Sequence, residues 1–129
     1  MPFRLYDHVN ERGDNPISEW TRSLEKKERA KLAQKLDKLK QHGPELFPEL
    51  LTGTDTPGVL KLRVKGNVQL RPMLCEGPVD VKSEFTLLLG AIEVGGKLQP
   101  RGADALANDI KQAIKADPAN RRKEHEHIR

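Results

Sequence analysis

Four cations between positions 61 and 71 are spaced so that they could act on one phosphate. Lys61, Arg63 and Lys65 lie two residues apart, so in an extended strand all three side chains leave one face. Leu60, Leu62 and Val64 alternate with them and give the opposite face to a core. Gly66-Asn67 supplies a turn, and Val68, Leu70 and Arg71 follow on the return, the pattern of a half-buried β-hairpin. No carboxylate lies within 59–74 to neutralise the group. A guanidinium fork meets phosphate oxygens two at a time and stays charged, which makes Arg63 and Arg71 the natural anion holders. The same cations also suit a solvated sheet face on which Lys and Arg deter edge pairing, and the residues alone leave both readings open.

The elements that would position this hairpin follow from the rest of the chain. Residues 2–9 alternate as an opening strand, with Phe3 and Leu5 on one side and Arg4 and Tyr6 on the other. Asn15 is an N-cap with Pro16 at the first helical position, and Ile17, Trp20 and Leu24 give a short amphipathic helix over 15–24 with Trp20 as its core anchor. A second helix spans about 27–41, its narrow stripe made by Ala30, Leu32, Ala33, Leu36 and Leu39; Gly43-Pro44 ends it. Residues 45–58 read as a loop. Glu84–Val94 (EFTLLLGAIEV) is a continuous apolar run that predicts one central strand. Leu106, Ile110 and Ile114 set the apolar face of a last helix over 103–116. The order β-α-α-β-β-β-α predicts an α+β fold, with helices on a mostly antiparallel four-stranded sheet, in one domain over 1–118. The polar residues 119–129 are expected to be a tail, disordered or extending a helix.

Composition narrows the function classes. The chain has 129 residues, 36% hydrophobic and 33% charged, with 23 basic and 19 acidic residues for a formal charge of +4. Seven cations fall in 26–40 against two acids, so the positive charge is concentrated on the second helix and the hairpin. At 4% aromatic residues, a base-stacking single-strand binder is disfavoured. The lone Cys75 cannot form an internal disulfide and reads as a small buried thiol of a reducing compartment. No stretch reaches the ~20 apolar residues of a membrane span, and the N-terminus lacks a secretory apolar segment, so a cytoplasmic location is expected. His125-Glu126-His127 lacks a third ligand nearby, and neither metal nor cofactor is expected.

Four stretches in register resemble the RelE/HigB-like toxins of type II toxin–antitoxin systems, in particular their phage-type branch: Asn15–Trp20 (NPISEW), Leu36–Gly43 (LDKLKQHG), Gly58–Arg63 (GVLKLR), and Leu87–Ile92 (LLLGAI) followed by Pro100 and an Ala-rich helix. The resemblance covers roughly 3–115. It implies a small RelE-like fold and a metal-independent endoribonuclease that cuts messenger RNA, usually on the ribosome. The ribose 2′-hydroxyl would be the nucleophile, basic strand residues would hold the scissile phosphate, and a helix-turn-helix antitoxin would keep the enzyme inactive. Arg63 matches the family's strand arginine, Arg71 that of the next strand, and Lys61 a position where some relatives carry lysine. Lys97, His125 and His127 are further candidates for proton transfer or phosphate contact, and Lys65 with Lys31, Lys35 and Lys38 of the second helix for RNA binding. Where the family's last strand runs into a basic segment, this chain has Glu93-Val94-Gly95-Gly96. That departure favours an alternative on the same fold: a protein-binding inhibitor of the gyrase-poisoning ParE kind, or a degenerate prophage protein.

Overall fold

The computed structural model describes residues 2–128. The chain opens with β1 (Arg4–His8), then α1 (Pro16–Ser23) and α2 (Lys26–His42). Asn15 caps α1 as its sequence predicts: its Oδ1 accepts from the Ser18 backbone N–H at 3.0 Å, worth about 1 kcal/mol. Gly43 closes α2 at φ 51°, and its N–H returns to the Leu39 carbonyl. A 3-10 turn (Gly43–Leu46) leads into β2 (Leu51–Gly53), a short strand inside the stretch expected to be loop. The hairpin region supplies β3 (Leu60–Leu62), β4 (Gln69–Leu70) and β5 (Met73–Glu76). Next come β6 (Glu84–Leu89), β7 (Ile92–Val94), β8 (Lys97–Gln99), α3 (Ala103–Ala116), α4 (Pro118–Arg121) and β9 (Arg122–Glu124).

The α+β class stands, and the sheet is larger than the sequence suggests. Six strands form one sheet in the order β2-β3-β5-β6-β1-β9, and β4-β7-β8 form a second, three-stranded one. All pairs are antiparallel except β1 with β6, which run parallel with Leu5 opposite Phe85. Two local features account for the extra strands. The apolar run 84–94 is broken at Gly90-Ala91, so that its end leaves the main sheet as β7. Gly90 packs against the Trp20 indole, where a Cβ would overlap ring atoms. In addition, the polar tail is neither disordered nor simply an extension of α3. After the α4 turn it becomes β9, the edge strand on β1, with Tyr6 opposite Glu124 and His8 opposite Arg122. The Arg122 guanidinium stacks on the Tyr6 ring at 3.9 Å and pairs with the buried Glu84. Charge contacts hold this strand, which hydropathy does not register.

Strand alternation separates two cores. Leu5, Leu62, Leu74, Phe85 and Leu87 meet Ile17, Leu32, Leu36 and Leu39 on the α1–α2 side. Met73, Cys75 and Leu88 meet Ala103, Ala107 and Ile114 on the α3 side. Lys61, between Leu60 and Leu62, therefore belongs to the face that carries α3. No helix among the described residues is long and apolar enough to cross a membrane.

Candidate functional site

The hairpin forms but opens before its tip, and the bridge of Val64 to Leu70 is one residue out of the register that a two-residue Gly66-Asn67 turn would give. Leu60 pairs with Leu74 and Lys61 with Met73, and after a gap Val64 bridges Leu70. Beyond β3 the Arg63 backbone turns to the Leu50 carbonyl, at 2.7 Å. The tip lies on α2. Gly66 packs so closely on the Lys31 ammonium and Glu28 carboxylate that a Cβ there would sit 2.7 and 2.8 Å from them. The approach brings the cations of hairpin and helix together, and a larger residue at 66 would push the Lys31 and Glu28 side-chain ends aside.

Lys35, Arg63 and Lys65 line one cleft of about 410 Å³, shared with Glu49 and Leu50. None of the three cations takes part in an ion pair among the described residues. Burial, and then the neighbouring Lys38 ammonium, pull the Lys35 pKa down. An incoming anion would relieve that repulsion. Lys31 differs from its helix neighbours, because its Nζ lies 3.6 Å from the buried Glu28 carboxylate.

The remaining hairpin cations converge on a carboxylate that sequence reasoning counted only as a departure from the family. Glu93 Oε1 lies 3.8 Å from Lys61 Nζ and 3.7 Å from Arg71 Nε. It arrives there because β7 pairs with β4, with Glu93 opposite Gln69. Arg71 is 5% exposed, and its two terminal nitrogens donate to the Leu70 carbonyl and to Gln69 Oε1. Its fork is thus spent inside the protein rather than open to a phosphate. Burial lowers the Arg71 pKa, Glu93 opposes that, and the nearby Arg63 charge adds to it. The signal that could have found Glu93 is the Gly90 break: it redirects the strand so that residue 93 faces the hairpin.

A larger cleft of about 620 Å³ adjoins Lys61 and Glu93. The β7–β8 turn brings Lys97 to it, the start of α3 brings Arg101 and Asp104, and the loop after β2 brings Asp55. Lys97 is therefore united with Lys61, and the tail histidines are not. His125 Nδ1 is 2.7 Å from Asp7 Oδ1, and His127 Nε2 is 2.6 Å from Asp37 on α2. They sit at the β9 edge, four strand spacings or roughly 19 Å from β3. Their contacts fasten the tail. Among the described residues, no group of three or more His, Cys, Asp or Glu is placed to hold a metal ion. Cys75 is buried, which pushes its thiol up to about 11 and denies it nucleophilic use at neutral pH.

Around Glu93 the arrangement offers a carboxylate able to accept a proton, an adjoining ammonium able to give one, and an arginine nearby without an ion-pair partner. Comparison with protein-family models, with curated proteins and with solved structures finds no match to this chain.

Proposed function

We propose that this chain is the toxin of a type II toxin–antitoxin pair of the RelE/HigB kind, and that it cuts messenger RNA on the ribosome without a metal. The observation that carries this reading is the cleft in which Lys35, Arg63 and Lys65, sharing it with Glu49, stand without ion-pair partners among the described residues; the Lys61–Glu93–Arg71 group is separate from it, linked by the Arg63 charge that acts on Arg71. Like charges gathered in one cleft attract an incoming anion, and a phosphodiester backbone supplies that anion. The α+β class and the opening strand followed by two helices agree with this reading, while the seven strands between α2 and α3, the second sheet and the β9 edge exceed the order that the sequence resemblance implies.

In this mechanism Arg63 holds the scissile phosphate with its fork, and Lys35 and Lys65 hold the flanking phosphates. Glu93 takes the proton of the ribose 2′-hydroxyl. The 2′-oxygen forms its bond to phosphorus, and charge that builds on the non-bridging oxygens is met by Arg63 and Lys61. The bond to the 5′-oxygen breaks as Lys61 gives that oxygen a proton, leaving a 2′,3′-cyclic phosphate and a 5′-hydroxyl. Glu93 then returns its proton to Lys61, which restores both groups. Arg71 acts as a positioning residue that fixes the Glu93 carboxylate. The antitoxin would silence the enzyme by covering the Arg63 cleft, and the lysines of α2 would meet ribosomal RNA.

One observation favours a second reading, a non-catalytic inhibitor that binds a protein target such as gyrase. Glu93 pairs with two of the four hairpin cations and offsets one of their charges, which lowers the local positive charge. Mapping transcript 5′ ends after induced expression separates the two. New 5′-hydroxyl ends that vanish in both Arg63→Ala and Glu93→Gln support the nuclease. Growth arrest without new ends, accompanied by DNA-damage signalling, sinks it in favour of the protein-binding reading.

A further inference from the structure

We infer that the 620 Å³ cleft beside Lys61 and Glu93 is a nucleoside pocket selective for guanine, taking the base next to the cut; this rests on the RNA-cleaving reading above. Its volume lies in the range of small-ligand sites and suits a purine nucleoside. Its charge distinguishes it from the Arg63 cleft. Three cations (Lys61, Lys97, Arg101) face three carboxylates (Asp55, Glu93, Asp104), so the lining is formally neutral and carries donors and acceptors in equal measure. A phosphate seated between Asp55 and Asp104, on the side of the cleft away from the proposed cut, would meet repulsion from those acids, whereas a base edge with both donors and acceptors meets partners for each.

The uncommitted groups decide which base. Lys61 and Glu93 pair with each other, and Asp104 Oδ2 accepts from the Thr56 hydroxyl at 2.8 Å. Lys97, Arg101 and Asp55 have no ion pair among the described residues. A carboxylate with both oxygens open takes two adjacent N–H donors, and of the four RNA bases guanine alone presents a ring N–H beside an amino group. Asp55 accepts from that edge, and Arg101 and Lys97 donate to the O6 and N7 acceptors. No aromatic side chain lines the cleft, so the base is recognised by its edge and not by stacking. The pocket is built by the β7–β8 turn and the loop after β2, the two segments that lie outside the expected four-stranded sheet.

The test is NMR titration of the intact chain with 5′-GMP, 5′-AMP, 5′-CMP, 5′-UMP and ribose 5-phosphate. The expected result is shifts at the β7–β8 turn and the start of α3, with GMP bound roughly tenfold or more tighter than the other nucleotides, as one bidentate pair provides. Asp55→Asn, in an exposed loop, should cut that preference to about twofold, and Asp104→Asn gives a second check. Equal binding of all four nucleotides, or of ribose 5-phosphate as tightly as GMP, overturns the pocket. Nucleotide binding needs no cleavage. GMP selectivity in a chain that produces no new transcript ends would therefore uphold the pocket and defeat only the nuclease reading.

Discussion

His125 Nδ1 and Asp7 Oδ1 are 2.7 Å apart, with side chains 5% and 1% exposed, and they join the last strand to the first. The other Asp7 oxygen accepts from Asn15 Nδ2 at 3.0 Å, so one carboxylate ties together β1, the cap of α1 and β9. Removal of the imidazole leaves a buried carboxylate with only the Asn15 amide. His125→Ala should cost about 3 kcal/mol of stability, measured by denaturant unfolding. His127→Ala, whose partner Asp37 is half exposed, should cost under about 1 kcal/mol. Equal effects would show that the tail is held by something other than the Asp7 contact.

The RNA-binding role proposed for the Arg63 cleft has a quantitative consequence for salt dependence. Removing one cation that meets a phosphate of single-stranded RNA should flatten the plot of log affinity against log salt by about 0.7. Arg63→Ala, Lys35→Ala and Lys65→Ala should each do so. Lys31→Ala should change the slope far less, because the Lys31 charge is already met by Glu28. Fluorescence anisotropy with a labelled RNA, read across a salt series, compares all four. Slopes unchanged by the first three variants would return these cations to the role of a solvated face.

Much of the scaffold was legible because it rests on short-range rules. Asn15-Pro16 placed the start of α1, Gly43 the end of α2, and α3 forms over the expected 103–116, but its buried face is made by Ala103, Ala107 and Ile114, while Leu106, expected on that face, is 46% exposed. The alternation of 60–64 also gave the side of the sheet that Leu62 and Val64 bury, though not the register of the hairpin. What was hidden depends on contacts distant in sequence. The apolar run 84–94 shows no break by hydropathy; its one sequence mark is Gly90, and the approach of Trp20, far earlier in the chain, is what requires a glycine at the point where the run leaves the sheet. Glu93 was hidden for the same reason, since its neighbours are set by that departure. The tail has almost no hydrophobic signal, and the Arg122–Glu84 and His125–Asp7 pairs that order it span 38 and 118 residues.

His8 links stability to pH with a sign that can be worked out. It is 7% exposed, and burial first, then the Arg121 charge, lower its pKa below the ordinary 6.5. The folded protein thus holds His8 neutral where the unfolded chain would protonate it. Its stabilising contribution is complete above pH 6.5 and is lost as the pH falls through the lower folded value. The thermal midpoint of the parent should decline on acidification below about pH 6.5 more steeply than that of His8→Gln. Parallel pH profiles for the two proteins would show that His8 does not report on folding.

Gly90 and Trp20 make the sharpest prediction about the break between β6 and β7. A Cβ at position 90 would overlap Cγ, Cδ2 and Cε2 of the indole, so Gly90→Ala must displace Trp20 or the strand. Overpacking of this kind costs about 1–3 kcal/mol. Trp20→Leu alone should also destabilise, by removing ring area that packs against the α1–α2 core. In the double variant the smaller side chain frees the space that the new methyl needs, and the two costs should fall short of additivity by about 1 kcal/mol or more. Because Gly90 sets the path of β7, Gly90→Ala should also displace Glu93 from Lys61 and Arg71. The proposed RNA cleavage should then fall in Gly90→Ala and recover in part in the double variant, whereas additive stabilities would mean that the indole does not govern where the strand turns.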